Sequence, residues 1–267
     1  MKSSEIAFKR CRPLLGTFVE ISLWDASVPS LRKVADRAYR AIDAVVASMS
    51  FHDQGSELSG LNRTPVGEWI SIGEALREVL DLALDLQIRS HGQFNVARSV
   101  SWRCLSKPGF EISGERVRRV LPIAIDLGGI AKGYAVDCAV QEIRRSGRGV
   151  SGVVNAGGDL YVFGEREQHV HVRSGNAHQP RLRSVKLKNG AIATSSVFPV
   201  TCPETGGRTS AYMDIRNRKP LQTVKTATAL ADRCMIADAL TKVALFTSKR
   251  HAREIAGHYN AQVSLLA

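Results

Sequence analysis

Three stretches of this sequence place acids, lysines or paired glycines at spacings that suggest a functional site, and the first of them suits the handling of an anion. The first is Asp126-Leu127-Gly128-Gly129-Ile130-Ala131-Lys132-Gly133, which joins a short apolar run, Leu121 to Ile125, to an amphipathic pattern ending at Gly147. That order predicts strand, tight turn, helix. Paired glycines let a backbone approach a ligand closely and adopt φ angles that other residues resist. The helix start offers free N–H groups and a partial positive charge, and Lys132 adds a full charge within the first turn, an arrangement suited to a phosphate. Asp126, on the strand end, would accept hydrogen bonds from hydroxyls or ring N–H groups. The plainer alternative is that Gly128-Gly129 only turns the chain. Neither G-x-G-x-x-G nor G-x-x-x-x-G-K-[ST] occurs here, which argues against a Rossmann enzyme and a P-loop NTPase.

The second stretch is Asn155-Ala156-Gly157-Gly158-Asp159, inside an apolar run from Gly152 to Phe163. Two glycines within a strand signal a bulge or a close backbone approach, and Asp159 would equally suit an Asx-type turn. The third is Asp238, with Thr241 and Lys242 three and four residues on, so that all three line one side of a helix. An exposed Asp–Lys pair is the plain reading. Yet Asp238 lies in an apolar segment, Met235-Ile236-Ala237-Asp238-Ala239-Leu240, and a buried carboxylate needs a partner. A Mg²⁺ ion or the Lys242 ammonium would supply one.

D-L-G-G-I-A-K-G-Y-A-V-D, together with M-S-F-H-D-Q-G-S-E-L-S-G-L-N-R upstream and V-N-A-G-G-D-L and A-D-A-L-T-K downstream, resembles the ApbE family of FAD:protein FMN transferases. The resemblance is ordered and runs from Leu15 to Phe246. It implies FAD as donor, Mg²⁺ as electrophile, and an acceptor flavoprotein whose Ser or Thr hydroxyl, usually Thr, receives FMN as AMP leaves. It implies a cofactor-binding set of Leu15, His52, Gln93, Phe94, Asn95, Asp126, Lys132, Asn155, Gly157, Gly158, Asp159 and Tyr212. Gln93-Phe94-Asn95 stands where the family has A-F-D, and His52 where it has a tyrosine, with Phe51 beside it. Ala193-Thr194-Ser195-Ser196 resembles the family's A-T-S-G. The implied metal site comprises Gly129, through its carbonyl, with Asp238, Thr241 and Lys242. Lys242 occupies the family's threonine position, and a lysine is no Mg²⁺ ligand. Three arrangements stay open: Thr241 substitutes, the ammonium takes the metal's place, or the metal sits elsewhere. Asp238, Lys132 and Asp214 are the implied catalytic residues. Asp214 and His52 are the candidate bases, because Ala211 stands at the family's histidine.

Elements to position these residues can be read in order. Thr17 to Trp24 alternates as a half-buried strand. Pro29 and Ser30 open a helix to about Met49 with Leu31, Val34, Ala38, Ile42, Val45 and Met49 as its apolar stripe. Ser71-x-x-Glu74 predicts a capping box heading a helix to about Ser90. Ser99 to Gly114 reads as a loop, and His169 to Arg173 as a strand with two solvent-facing histidines. Val185 to Ser195 reads as a hairpin about Asn189-Gly190, and Cys234 onward as an apolar helix. Ser248 to Tyr259 reads as a last helix and Ala261 to Leu266 as a final strand. Without strict βαβ alternation, internal repeat or linker, the expectation is one α+β domain over residues 1–267, a single body or two lobes with the flavin site between them, preceded by a short extension to about residue 12.

The 267 residues carry 37 Lys and Arg against 25 Asp and Glu, a net charge of +12. The basic residues are dispersed without interleaved aromatics, and no nucleic-acid motif accompanies them, so the charge is assigned to an anionic cofactor, an acidic partner or a membrane surface. Five cysteines are scattered without a C-x-x-C pair, which predicts thiols in a reducing compartment. No apolar run spans a bilayer, and Met1 to Arg12 lacks a secretory h-region. The expected location is cytoplasmic, the alternative periplasmic or membrane-facing. The alternative functions are a flavin-binding relative that no longer transfers and a basic nucleic-acid or interaction module.

Overall fold

The structure, a computed structural model, describes residues 8–98, 107–147, 149–174, 181–197, 200–201, 208–209, 221 and 224–266. Ala211, Tyr212 and Asp214 lie outside the described residues, as do Cys104 and Cys202.

Strands β1 (Phe8–Leu14) and β2 (Thr17–Trp24) form a hairpin, followed by α1 (Val28–Met49), α2 (Glu57–Arg63), β3 (Ile70–Ser71) and α3 (Glu74–Arg89). Four short strands, β4 (Ala97–Arg98), β5 (Phe110–Ser113), β6 (Arg116–Arg119) and β7 (Ala124–Ile125), lead into α4 (Ala131–Ser146). Next come β8 (Ser151–Ala156), β9 (Asp159–Phe163), β10 (Gln168–Ser174), β11 (Arg181–Leu187) and β12 (Gly190–Val197). The two-residue β13 (Val200–Thr201) and β14 (Arg208–Thr209) precede β15 (Lys225–Ala231), α5 (Cys234–Phe246), α6 (Lys249–His258) and β16 (Gln262–Leu266). The class is mixed α and β. The main sheet has seven strands in the order β1-β2-β8-β9-β12-β15-β16, and every neighbouring pair is antiparallel.

One face of this sheet meets α1, α4 and α5. Val154, Tyr161, Phe163, Ala191, Ala193 and Ala229 point into the same core as the α1 stripe, and Tyr39 joins that stripe. The alternate residues, Leu160, Val162 and Ile192, pack on the other face with Val172 of the separate β10–β11 ribbon. Both faces of the central strands are therefore covered. Helix α5 is buried around most of its circumference, as expected of a helix that is apolar on all sides. No helix among the described residues is long and apolar enough to cross a membrane.

Several local expectations change. Ser71 belongs to β3 rather than capping α3; the cap is Gly73, whose N–H donates to the Glu57 carboxylate from α2. The predicted loop between residues 99 and 114 contains β5. The Gly157-Gly158 interruption is the turn of the β8–β9 hairpin rather than a bulge, with φ of 66° and 103°. Asn189-Gly190 does not close a hairpin: β11 pairs with β10, whereas β12 enters the main sheet. The Asn189 side chain instead bonds both the N–H and the carbonyl of Gly164. His169 and His171 are exposed.

Candidate functional site

The turn between β7 and α4 is held from both sides. Asn62, on α2, accepts from the Ile125 N–H at 2.8 Å and donates to the Ile125 carbonyl at 2.9 Å. Asp126 accepts from the Gly128 N–H at 2.9 Å and takes the Arg98 guanidinium at 3.0 Å, while Arg98 lies over the Phe51 ring. Neither Gly128 nor Gly129 adopts a positive φ. The glycine this region requires is Gly133: a Cβ there would lie 2.4 Å from the Cys234 carbonyl oxygen and 2.8 Å from Asp238 Cβ. Its absence lets α5 cross the first turn of α4 at backbone contact.

That crossing seats the charged residues. Asp238 is wholly buried. Its Oδ2 accepts from the Gly133 N–H at 3.1 Å and from Lys132 Nζ at 3.4 Å, and its Oδ1 is paired with the Lys242 ammonium. Lys242 Nζ also meets the Asp238 backbone carbonyl at 3.1 Å. Lys132 is paired in addition with Asp159, at the start of β9 and almost completely buried. Burial opposes the charge on Lys132, but the Asp238 and Asp159 carboxylates outweigh it and hold its pKa above the ordinary lysine value. Burial and the neighbouring Asp238 charge push the Asp159 carboxyl up, against the pull of the two lysines. Two carboxylates face two ammonium groups, so the cluster is neutral, which is how buried charges are tolerated.

Above this cluster is a cleft of about 750 Å³, in the range of small-molecule sites. It is lined by Gln93 to Arg98, the Asp126–Gly129 turn, Gly157, Asp159, the Thr194–Ser196 run of β12, and Lys132, Lys242 and Phe246. Of the residues singled out in the sequence, Gln93, Phe94, Asn95, Asp126, Gly129, Lys132, Gly157, Asp159 and Lys242 share this lining. Asn95 Oδ1 accepts from Ala97 N–H, and its buried Nδ2 has no hydrogen-bond partner among the described residues. Asp238 lies beneath the floor.

Other residues are elsewhere. Leu15 sits at positive φ in the β1–β2 turn and packs on the core; that turn lies against Gly157, where an added Cβ would meet Thr17 Oγ1. Asn155 turns inward on its own hairpin, accepting from the Gly158 N–H at 2.8 Å. His52 is exposed, edge-on to Phe51. Gly158 is exposed at the hairpin turn. The wholly buried Thr241 donates to the Asp238 carbonyl at 2.6 Å and lies 2.7 Å from Ser195 Oγ. The helix-end phosphate seat expected at α4 is altered too, since the Gly133 N–H is already taken by Asp238.

Sequence reasoning gave Arg98 no role. Its signal was weak, because its partners Asp126 and Phe51 are 28 and 47 positions away. Asn62 lay inside a quoted motif, but nothing in the sequence tied it to Ile125.

Comparison with known proteins extends these observations. An FAD:protein FMN transferase from Chlamydia pneumoniae is 25% identical, the match covering 93% of this chain and 85% of that protein. A protein of the same name from Haemophilus influenzae is 22% identical over 94% and 84%. Among solved structures, the ApbE protein of Thermotoga maritima superposes with a TM-score of 0.80 at 23% identity, covering 96% of this chain and 93% of its own. The apo flavinyl transferase ApbE of Pseudomonas stutzeri gives 0.79 at 17% identity over 96% and 89%. The ApbE family model matches residues 15–266, a span that holds the cleft, both glycine turns and α5, and the chain belongs to the ApbE family.

Proposed function

We propose that this protein is an FAD:protein FMN transferase, a single transferase domain that moves FMN from FAD to a Ser or Thr hydroxyl, usually Thr, of an acceptor flavoprotein. The observation that carries the proposal is the cleft whose floor holds two lysines on two buried carboxylates, within a chain of this family. Its volume suits a dinucleotide. Lys132 and Lys242 face the place where a pyrophosphate would lie, Phe94 offers an apolar wall, and Asn95 Nδ2 offers a donor without a protein acceptor.

In the proposed reaction the acceptor hydroxyl oxygen attacks the phosphorus on the FMN side of the pyrophosphate. The new O–P bond forms as the P–O bond to AMP breaks. The bonding electron pair goes to the AMP phosphate oxygen, and the hydroxyl proton leaves to solvent. Pre-placed cations stabilise the charge that develops on the leaving phosphate. Asp126, with Arg98 bound to it, would orient the flavin or adenosine portion. The candidate base Asp214 and the binding residue Tyr212 lie outside the described residues, and His52 does not line the cleft.

The family resemblance also implies Mg²⁺ at Gly129, Asp238, Thr241 and Lys242. The arrangement of these residues does not fit that ion. Both Asp238 oxygens are engaged by Lys132, Gly133 and Lys242, the Thr241 hydroxyl is bonded within the protein, and Lys242 is a cation. Among the described residues no group of three or more His, Cys, Asp or Glu could hold a metal.

The test is incubation with FAD and a threonine-bearing acceptor domain, followed by chromatography for AMP and mass spectrometry of the acceptor. AMP release matched by an acceptor heavier by one FMN phosphoester is expected. FAD binding without either product would overturn the transferase reading in favour of a binding protein.

A further inference from the structure

The cation beside Asp238 belongs to the chain itself. Resting on the transferase reading above, we propose that the Lys242 ammonium occupies the place of a divalent metal in this site, so that FAD pyrophosphate is bound and cleaved without one.

Four features of the geometry converge. Lys242 grips Asp238 twice, at Oδ1 and at the backbone carbonyl one helical turn back. Its side chain is only 12% exposed, yet it lines the cleft. Its stem fills the space beside Gly129: Lys242 Cγ and Cε lie 3.9 and 4.0 Å from the Cβ position of that glycine, so the lysine occupies the gap between the Asp126–Gly129 turn and α5. The remaining Asp238 oxygen is filled from the other side by Gly133 N–H and Lys132.

A Mg²⁺ ion requires near-octahedral oxygen ligands at about 2.0–2.1 Å. Entry would expel the ammonium from a wholly buried carboxylate. The charge count points the same way. Two carboxylates are already balanced by two ammonium groups, and a divalent ion that displaced one of them would leave the buried cluster with an excess of one positive charge, which a low-dielectric site resists.

The chemistry required of the cation survives the exchange. When the acceptor hydroxyl attacks and the P–O bond to AMP breaks, the electron pair goes to the AMP phosphate oxygen and the hydroxyl proton to solvent. A fixed ammonium beside that oxygen supplies positive charge and N–H donors without shedding a hydration shell during the reaction. Lys132, on the other carboxylate, supplies a second fixed cation.

The experiment uses the full chain, with Mn²⁺ as a paramagnetic probe of divalent binding and EDTA in the turnover assay. Wild-type protein is expected to bind Mn²⁺ about 100-fold more weakly than Lys242→Thr, which frees the buried Asp238 to recruit a cation. Wild-type AMP release is expected to be unchanged by EDTA. In EDTA, Lys242→Thr is expected to lose about 100-fold in rate, as when one preorganised charge-stabilising donor is removed, and to recover part of it on addition of Mg²⁺. Lys242→Gln, which retains an N–H for Asp238, serves if the threonine variant misfolds. Wild-type Mn²⁺ binding as tight as that of the variant, or wild-type turnover abolished by EDTA, would overturn the proposal. Flavin fluorescence checks FAD uptake separately. A wild type that takes up no FAD refutes the transferase reading, while the Mn²⁺ titration still decides the cation site.

Discussion

Asp238 Oδ2 accepts the backbone N–H of Gly133 at 3.1 Å, a hydrogen bond that runs from α5 into the first turn of α4. It exists because Gly133 has no side chain. Gly133→Ala would set a methyl 2.4 Å from a backbone carbonyl oxygen, and backbone yields less readily than a flexible side chain. The expected cost is about 1–3 kcal/mol of stability, as for other overpacked sites, together with a weaker grip on FAD. Urea unfolding and flavin fluorescence titration check the two effects, and a variant matching wild type in both would show that the helices part without loss.

Asn62 clamps Ile125 through two hydrogen bonds and thereby holds the strand end that carries Asp126. Asn62→Ala leaves an N–H and a carbonyl without their partner, for an expected loss of about 1–3 kcal/mol. Asn62→Asp retains the acceptor but, when ionised, sets a carboxylate oxygen against the Ile125 carbonyl, so it should lose more at neutral than at acid pH. Chemical denaturation of the three proteins ranks them, and equal stability of the wild type and the alanine variant contradicts the clamp.

Asp137 caps α5, accepting from the Cys234 and Met235 N–H groups at 2.7 and 3.0 Å. Burial nevertheless dominates and pushes its carboxyl from 3.8 up to about 6, against those two bonds and the Arg233 charge. The folded state thus binds this proton more tightly than the unfolded chain. Its contribution to stability is complete below pH 3.8 and is lost as the pH rises through about 6. At about 1.4 kcal/mol for each pH unit of separation, the loss approaches about 3 kcal/mol. Asp137→Asn keeps a cap oxygen and removes the titration. Its stability relative to wild type should rise by up to about 3 kcal/mol between about pH 4 and pH 7. Parallel pH profiles in urea unfolding would refute this.

Arg98 lies at the rim, bound to Asp126 at 3.0 Å and stacked on Phe51. It is more than half exposed, so solvent screens its ion pair. Arg98→Ala is expected to weaken FAD binding by about fivefold to tenfold at low ionic strength, the size of an exposed cation–π contact and a surface charge. The difference should shrink with added salt. Salt-independent affinities, equal in both proteins, would remove Arg98 from the site.

Much of the frame was legible because its signals are periodic. The α1 stripe, the alternation of β2 and the strand–turn–helix around Asp126 all follow from the spacing of apolar residues. The motif-bearing stretches also marked the cleft, through their glycines and acids. What stayed hidden was pairwise and long-range. Gly128-Gly129 looked like the pair needing special backbone, yet the close approach is at Gly133, and only the path of α5 reveals it. Glu57 caps α3 from another helix, so the local Ser71-x-x-Glu74 pattern misled. Asn189-Gly190 has the sequence of a hairpin turn, but the pairing of β11 and β12 is decided by which apolar face each strand buries. The helix end suited to phosphate is taken by a carboxylate more than a hundred residues downstream.

Helix α5 is enclosed on nearly every side, by α4, by the sheet and by α6. A helix so enclosed has no face along which it can slide or lift on its own. Asp238 is therefore mounted on the part of the molecule that deforms least, and the lysines it holds are fixed with it. Ligands must be carried to these charges, since the charges cannot swing out to meet them. The site and the core also share one fate: amide exchange in the middle of α5 should require global opening, so the carboxylate at the centre of the cluster is lost only when the core is.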